Sequence, residues 1–153
     1  TADISALPLS LRQRQFDHVL ANPPYWHRGA SVAASDPARE AALGEQTPLQ
    51  VWITTAAKRL VPKGQMHVIH RAERLPDLLA ALPADMGSIE VLPIEAREGR
   101  AAERVILRAR KSGRADFRLH APLILHRGDR HRDGDQYTPE VRNALRKGAA
   151  LAF

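Results

Sequence analysis

The chain alternates between short apolar runs and polar breaks that contain proline or glycine, a pattern typical of an α/β domain. The first run, FDHVLA, occupies residues 16–21 and ends at Asn22-Pro23-Pro24. An apolar run of this length, followed directly by prolines, predicts a short buried strand that stops at residue 21. Residues 27–46 are mostly small and polar. They predict a mobile loop, with one helical turn over residues 38–43.

Two later segments have apolar residues at helical spacing. The first follows Thr47-Pro48, where we expect threonine as the N-cap and proline as the first helical residue. The second has Pro76 in its first turn. The apolar positions are Leu49, Trp52, Ile53, Ala56 and Leu60 in the first segment, and Leu75, Leu78, Leu79 and Leu82 in the second. This periodicity predicts two amphipathic helices.

Strand patterns fill most of the remaining chain. They cover residues 65–70, 88–94, 103–110 and 117–126, and the last of these has Phe117, Leu119, Leu123 and Leu125 on one face. A final helix is predicted from Thr138-Pro139-Glu140 towards Leu151. Strands joined by helices pair in parallel, whereas strands that follow one another pair antiparallel. We therefore expect an α/β sandwich with a mixed sheet and an antiparallel edge.

Length and composition indicate one soluble globular domain. The chain has 153 residues, of which 44% are hydrophobic and 26% charged. It has no cysteine, which excludes a disulfide framework and a thiolate metal site. No apolar run approaches the roughly 20 residues that span a bilayer, and no charged-then-apolar leader opens the chain. We expect a cytoplasmic protein with no membrane partner.

The net charge is positive. Lys and Arg together number 23 against 17 Asp and Glu, for a formal charge of +6. Much of the excess is arginine between residues 97 and 118. A basic surface of this kind suits a polyanionic partner such as RNA, and it equally suits a solvated basic face. Composition alone leaves both interpretations open.

The tetrapeptide Asn22-Pro23-Pro24-Tyr25 is the strongest candidate for chemistry. In open α/β sheets ligands bind beyond the carboxyl ends of the strands, which is where this tetrapeptide lies. The two prolines stiffen the backbone and supply no N–H group. The side-chain oxygen of Asn22 and the carbonyl oxygen of Pro23 thus form two acceptors at a fixed separation, called the acceptor pair below.

Two acceptors at fixed separation match the two N–H groups of an exocyclic amine such as adenine N6. Holding both hydrogens out of the ring plane aims the nitrogen lone pair at an electrophile, so catalysis comes mainly from positioning. Tyr25 can stack on an extruded base and orient it. The same tetrapeptide can also serve as a plain strand-ending turn. Its place after a buried strand and before a loop favours the catalytic interpretation.

These residues resemble motif IV of the class I S-adenosylmethionine-dependent amino-methyltransferases. That signature, (Asp/Asn/Ser)-Pro-Pro-(Tyr/Phe/Trp), is met by Asn22, Pro23, Pro24 and Tyr25. The resemblance extends over nearly the whole chain, which is similar to the bacterial tRNA1(Val) adenine-N6-methyltransferases. It is carried downstream by AAKRLVPKGQMHVIHRAERLPDLLAAL, AAERVILRARKSG, LHAPLILH and YTPEVRNALRKGAALAF.

The resemblance implies a Rossmann-like methyltransferase sandwich that uses S-adenosylmethionine to methylate adenine N6 in RNA, most of all in tRNA. It implies catalytic roles for Asn22, Pro23, Pro24 and Tyr25, and a cofactor contact for Asn22. The opening TADISALP resembles the family's motif III, which makes Asp3 a second cofactor contact. DNA adenine, a protein glutamine, or RNA binding without catalysis remain the alternatives.

The resemblance is to the C-terminal part of the domain only. The nine glycines never form a Gly-x-Gly-x-x-Gly cluster, and only fifteen residues precede Phe16. We therefore interpret residues 1–153 as a partial catalytic domain that lacks the cofactor loop and the first strands. Such a chain alone is expected to be inactive. We also expect that the open edge of strand 16–21 is covered by another copy of the chain, by further residues or by a rearrangement of the chain.

The segment HRGDRHRDGDQ, residues 126–136, is the one candidate for a metal site. Asp129, Asp133 and Asp135 lack the spacing and the terminal glutamate of a calcium loop, and arginines lie between them. We expect a solvated hairpin or loop and no metal. His67 and His70 are three residues apart and so fall on opposite faces of a strand.

Overall fold

The computed structural model describes residues 3–27, 44–45, 47–128, 136–151 and 153. The strands are β1 Phe16–Ala21, β2 Trp26–His27, β3 Gly44–Glu45, β4 Leu60–Arg71, β5 Met86–Glu95, β6 Arg104–Lys111, β7 Arg118–Leu119 and β8 Leu123–Ile124. The helices are α1 Leu9–Arg12, α2 Leu49–Lys58, α3 Leu75–Ala80 and α4 Pro139–Lys147, with 3₁₀ turns at Ile4–Ala6 and Ala72–Arg74.

Six of these strands form one mixed sheet in the order β1-β4-β6-β5-β7, with β8 also paired to β5. β1 is parallel to β4, and β7 and β8 are parallel to β5. β6 is antiparallel to both of its neighbours, β4 and β5. The predicted α/β architecture with a mixed sheet is confirmed.

The position of the antiparallel strand differs from the prediction, which placed it at the edge. The connection through α3 carries β5 past the strand position next to β4. β6 then folds back from β5 and fills that position, between two strands that run the other way. The antiparallel strand is therefore internal, because pairing on both sides satisfies all of its backbone groups.

β4 is longer than the predicted strand 65–70. Phe16 of β1 lies opposite Leu60, but His18 lies opposite Gln65, so β4 carries extra residues at this point. The extra residues form a bulge in which Lys63 has a φ of 69°. The bulge brings the predicted turn at residues 62–64 into the strand.

The main hydrophobic core lies between one face of the sheet and helices α2 and α3. Alternation along β4 and β6 points every second side chain to this face. The buried members are Leu49, Ile53, Ala56, Ala57, Leu60, Met66, Val68, Leu78, Ala81, Met86, Val91, Val105, Leu107 and Ala109. Burial of each large aliphatic side chain contributes about 1.5–3 kcal/mol, so this layer fixes the relative positions of β4 and β6.

The opposite face of the sheet is only partly covered. Helix α4 packs there through Val141, which forms a second cluster with Leu92 and Leu123. Thr138 caps this helix by accepting the Val141 N–H at 3.4 Å, as predicted. The helix ends at Gly148, whose φ of 64° is left-handed. The part of this face that β1 and β4 form lies beyond α4 and is open.

Two elements differ in their bounds from the prediction. Helix α2 begins at Leu49, with Pro48 rather than Thr47 at the N-cap and no side-chain cap. The predicted strand 117–126 is wrong, because only the pairs in β7 and β8 join the sheet. Pro122 lies between them and has no N–H to donate to β5.

The predicted common face of strand 117–126 is also wrong. Phe117 and Leu119 are 56% and 62% exposed, whereas Leu123 is buried. β7 stands at the outer edge of the sheet, where nothing in the described part of the chain covers those two side chains. The hydrophobic alternation there therefore does not mark a core strand.

The predicted loop 27–46 is described only at its ends. There Trp26–His27 pairs in parallel with Gly44–Glu45. Residues 28–43, with the predicted helical turn at 38–43, lie outside the described residues.

Candidate active site

The tetrapeptide of the acceptor pair follows β1 without a gap, at the carboxyl end of that strand. β1 is fixed in register by β4, with Ala21 opposite Val68. Asn22 is exposed, Pro23 is fully buried, and Pro24 and Tyr25 are half-buried. The buried Pro23 ring anchors the backbone, so the exposed Asn22 amide projects from a rigid support.

Tyr25 packs against a buried histidine on the neighbouring strand. Its ring centroid lies 5.4 Å from that of His70, with the ring planes at 74°. His70 is fully buried and its Nδ1 accepts the backbone N–H of Arg71 at 2.9 Å. An edge-to-face pair of this kind is worth about 0.5–1.5 kcal/mol beyond its buried area. This contact holds the Tyr25 ring against the core face of the sheet.

A groove of about 690 Å³ opens beside Asn22 on the partly covered face of the sheet. Its walls come from β1, β4, β6 and the chain around and after α4. The lining residues are Leu20, Ala21, Asn22, His67, Ile69, Ile106, Arg108, Ala144, Ala149, Leu151 and Phe153. The lining is mainly apolar with few polar groups, which is the usual character of a small-molecule site.

His67 is one of the polar groups in this groove. Its ring centroid lies 5.8 Å from that of His18 on β1. Burial lowers the pKa of His67 below its ordinary value of 6.5, and the nearby His18 and Arg108 lower it further. His67 is therefore held in its neutral form, which can both donate and accept a proton.

Arg108 belongs to a charged cluster at the far wall of the groove. It donates to Glu90 Oε2 at 2.8 Å, and His120 Nε2 lies 2.7 Å from the same oxygen. The Arg108 guanidinium carbon also lies 4.5 Å from the centre of the Phe153 ring. Burial raises the pKa of Glu90, but the hydrogen bonds and charges of Arg108 and His120 outweigh it, so the pKa lies below its ordinary 4.5.

Asp3 is placed apart from the groove. It is exposed and caps the first 3₁₀ turn, with Oδ1 accepting the Ser5 N–H at 2.8 Å and the Ser5 hydroxyl at 2.7 Å. These two bonds lower the pKa of Asp3. Asp3 does not line the groove beside Asn22. Its predicted contact with a cofactor stays a prediction.

Sequence reasoning did not identify His67, Arg108 or Phe153 as neighbours of Asn22. Strand alternation could have placed His67 and Arg108, because it assigns both to the sheet face opposite Met66 and Leu107. It did separate His67 from His70, which lie on opposite faces as predicted. The return of Phe153 to the sheet has no local signal in the sequence.

Several arginines between residues 97 and 118 serve the fold. Arg97 donates to the carbonyl of Arg127 and to Gln136 Oε1, and Arg108 pairs with Glu90. Arg110 Nε donates to the Lys63 carbonyl at 3.0 Å. Part of the positive charge is therefore structural, which reduces the weight of composition as evidence for a polyanionic partner.

The segment 126–136 is described at both ends. His126 bridges Tyr137 in antiparallel fashion, and Arg127 N–H donates to the Gln136 carbonyl, so the two described ends pair with each other. Asp129, Asp133 and Asp135 lie outside the described residues. Within the described ranges no group of three metal-ligating side chains is found.

The outer edge of β1 has no strand partner among the described residues, and β1 pairs only with β4. Leu20, the fifth of the six residues of β1, is 79% exposed. The open edge agrees with the prediction, but the prediction of a buried strand is wrong, because β1 has a strand neighbour on one side only and none of its six residues is buried. What covers the open edge stays a prediction. No helix within the described ranges has the length and apolar character to cross a bilayer.

Comparison with solved structures places the fold. A crystal structure described as a predicted O-methyltransferase from Agrobacterium tumefaciens matches with a TM-score of 0.73 and 28% sequence identity. The match covers 98% of this chain and 62% of that chain, so the chain spans less than two thirds of its neighbour. A complex of M1.HpyAVI with SAM matches at a TM-score of 0.41 and 12% identity, over 85% of this chain and 56% of that one.

The first of these matches shows that the mixed sheet and its helices form a Rossmann-like fold shared with a predicted methyltransferase. No family model matches the chain. No curated protein matches it either. The fold is therefore assigned from the sheet topology and from the match to the Agrobacterium tumefaciens structure.

Proposed function

We propose that this chain contributes the acceptor side of an S-adenosylmethionine-dependent methyltransferase that methylates an exocyclic amine, adenine N6 in RNA. The observation that carries the proposal is the placement of Asn22. Its exposed amide follows the carboxyl end of β1 and borders a groove of about 690 Å³, in a fold shared with a predicted methyltransferase. The activity is proposed for the whole protein to which these residues belong.

The acceptor pair orients the nitrogen. The Asn22 side-chain oxygen accepts one N–H of the amine and the Pro23 carbonyl accepts the other, which requires the fully buried Pro23 to be uncovered when the substrate binds. Together they turn the lone pair of the nitrogen away from the ring. Because neither Pro23 nor Pro24 has an N–H, few backbone donors compete for these oxygens. The alkylated amine is acidic and loses its proton to water, so no strong general base is required. Positioning alone supplies most of the rate.

Tyr25 orients the base. Aromatic side chains stack on extruded bases and gain about 1–3 kcal/mol per base. The Tyr25 ring contacts the buried His70 at a centroid distance of 5.4 Å, on the sheet face opposite the groove, and Tyr25 does not itself line the groove. A ring fixed in advance loses little entropy when the base arrives.

The residues present fit S-adenosylmethionine only in part. When bound, this cofactor supplies the methyl group as a sulfonium electrophile. Asn22 would contact it from the acceptor side. Asp3, the second candidate, is occupied by Ser5 through two hydrogen bonds and is exposed. The sequence has no glycine-rich loop to hold the rest of the cofactor.

RNA is preferred as the substrate because the chain is basic and because the acceptor pair and an aromatic ring suit an extruded adenine. An adenine of DNA and the amide of a protein glutamine present the same two N–H groups. A basic RNA-binding module without catalysis is the remaining alternative.

The substrate is tested with the protein encoded by the whole native reading frame. Radiolabelled methyl transfer is measured to bulk tRNA, to DNA and to a peptide-chain release factor, each at equal concentration. We expect label in N6-methyladenine of the tRNA. Label confined to DNA, to glutamine or to a hydroxyl group assigns another acceptor. RNA binding without any transfer supports the non-catalytic alternative.

A further inference from the structure

A second pocket lies at the end of the sheet opposite Asn22, with a volume of about 570 Å³. It is formed where β4 and β5 begin and β6 ends. The lining residues are Pro62, Lys63, Ser88, Arg110, Ser112, Gly113, Arg114 and Ala115. Val68 aligns with Ala21, and Lys63 lies five residues earlier in β4, so this pocket is roughly 20 Å from Asn22 along the strand direction.

The pocket combines positive charge with hydroxyl groups. Lys63, Arg110 and Arg114 contribute three cations, Ser88 and Ser112 contribute hydroxyls, and none of the lining residues is acidic. The nearby Asp85 takes part through its backbone, where its carbonyl accepts the Ser112 N–H at 2.7 Å. Cations and hydroxyls without a carboxylate are the donor set of a phosphate site.

The backbone around the pocket is strained. Lys63, Ser88 and Ser112 have φ values of 69°, 47° and 55°, and they are the non-glycine residues of positive φ in the described chain. All three line this pocket. L-residues rarely adopt this conformation, and such strain collects at binding sites because the surrounding structure must enforce it.

Close packing of two glycines, Gly87 and Gly113, enforces this backbone conformation here. A Cβ atom at Gly87 would lie 2.3 Å from the Gly113 carbonyl oxygen, and one at Gly113 would lie 2.6 Å from Ser88 Oγ. Ser88 Oγ also accepts the Ala115 N–H at 3.0 Å, and Arg110 Nε donates to the Lys63 carbonyl. These contacts tie β4, β5 and the end of β6 into one fixed surface.

We propose that this pocket binds a backbone phosphate of a nucleic acid, at a point separate from the acceptor pair. Most of its lining is exposed, including Lys63, Arg110 and Arg114, so it is an open basin. An open basin suits a phosphate carried on a large molecule, whereas a free anion is held better in an enclosed site. The proposal concerns binding and does not rest on methyl transfer.

The test measures binding of a short fluorescent single-stranded RNA to the 153-residue chain by anisotropy at several salt concentrations. The pocket variant is Lys63→Gly with Arg114→Ala, in which glycine fits the left-handed backbone of residue 63. The control variant, Arg100→Ala with Lys147→Ala, removes the same charge from two exposed side chains that do not line the pocket. Circular dichroism confirms folding of both.

Each lost phosphate contact lowers the slope of log affinity against log salt by about 0.7, so the pocket variant, which loses one phosphate contact, should lose about 0.7. The control variant should retain most of the slope. Equal losses of slope in the two variants would indicate diffuse electrostatic attraction and overturn the proposal. No loss of slope in either variant would also overturn it. A parallel titration with inorganic phosphate separates the sources. Phosphate binding that the pocket variant abolishes, with RNA binding unchanged, would assign a small anion and also overturn it.

Discussion

The ring of Tyr25 meets the ring of the buried His70 nearly edge to face, with centroids 5.4 Å apart and planes at 74°. This contact joins the end of β1 to the neighbouring strand β4 and so to the main core. It makes the aromatic residue of the tetrapeptide part of the scaffold as well as part of the proposed site. The two roles can be separated by substitution.

We predict that Tyr25→Phe keeps methyl transfer within about twofold of the native rate, because the ring and its contact with His70 remain. Tyr25→Ala removes the stacking surface, worth about 1–3 kcal/mol, and should lower kcat/KM about 10- to 100-fold. Thermal unfolding of both variants measures the accompanying loss of packing. Equal activity in the two variants, with both folded, would exclude stacking on Tyr25.

We predict that His67 titrates below 6.5, which two-dimensional NMR of the imidazole resonances measures directly. Between pH 6.5 and its folded-state pKa the unfolded chain binds the extra proton, so stability falls as the pH falls through this range. His67→Gln should remove that part of the pH dependence. His18→Gln should raise the pKa of His67 towards 6.5, because the charge of His18 contributes to the shift. A native His67 pKa at or above 6.5 would contradict the groove environment described above.

We predict that stability also falls with pH in a more acidic range, because of Glu90. Its pKa lies below 4.5, so the stabilisation from its carboxylate is present above pH 4.5 and is lost as the pH falls through the folded-state pKa. Glu90→Gln should cost about 2 kcal/mol at pH 7, where Arg108 loses its charged acceptor, and less at pH 3, where more of the native Glu90 is protonated. Urea unfolding at both pH values measures this.

The matched control is Glu98→Gln, which removes the same charge from an exposed residue between β5 and β6. It should change the free energy of unfolding by less than about 0.5 kcal/mol at either pH. A cost for Glu90→Gln that is the same at pH 7 and pH 3 would show that the carboxylate charge does not stabilise the fold.

The sequence predicted the parts of the fold that local patterns determine. The apolar run before Asn22 marked β1 to the residue, and Thr138-Pro139 marked the start of α4. The groove could not be predicted in this way, because Asn22, Arg108 and Phe153 come from distant parts of the chain. The internal position of β6 depends on pairing with two strands at once. The break at Pro122 shows that a clear alternation of hydrophobic and polar residues does not always form one continuous edge strand.

The open edge of β1 gives a further prediction. We expect that a partner covers this edge in solution, because Leu20 is 79% exposed and the strand pairs on one side only. Hydrogen exchange should then show protection of the β1 amides that point away from β4, and light scattering should show a mass above that of one chain. A monomer with those amides unprotected would refute the expectation. Leu20→Lys should weaken association without unfolding the chain.

The central claim is that Asn22 accepts a hydrogen bond from the amine that is methylated. The most direct measurement is single-turnover methyl transfer to tRNA by the protein of the whole reading frame and by its Asn22→Ala variant, with Asn143→Ala in α4 as the matched control. We predict that Asn22→Ala slows the transfer about 100-fold or more with folding intact, and that Asn143→Ala leaves it unchanged. An unchanged rate in Asn22→Ala would contradict the account.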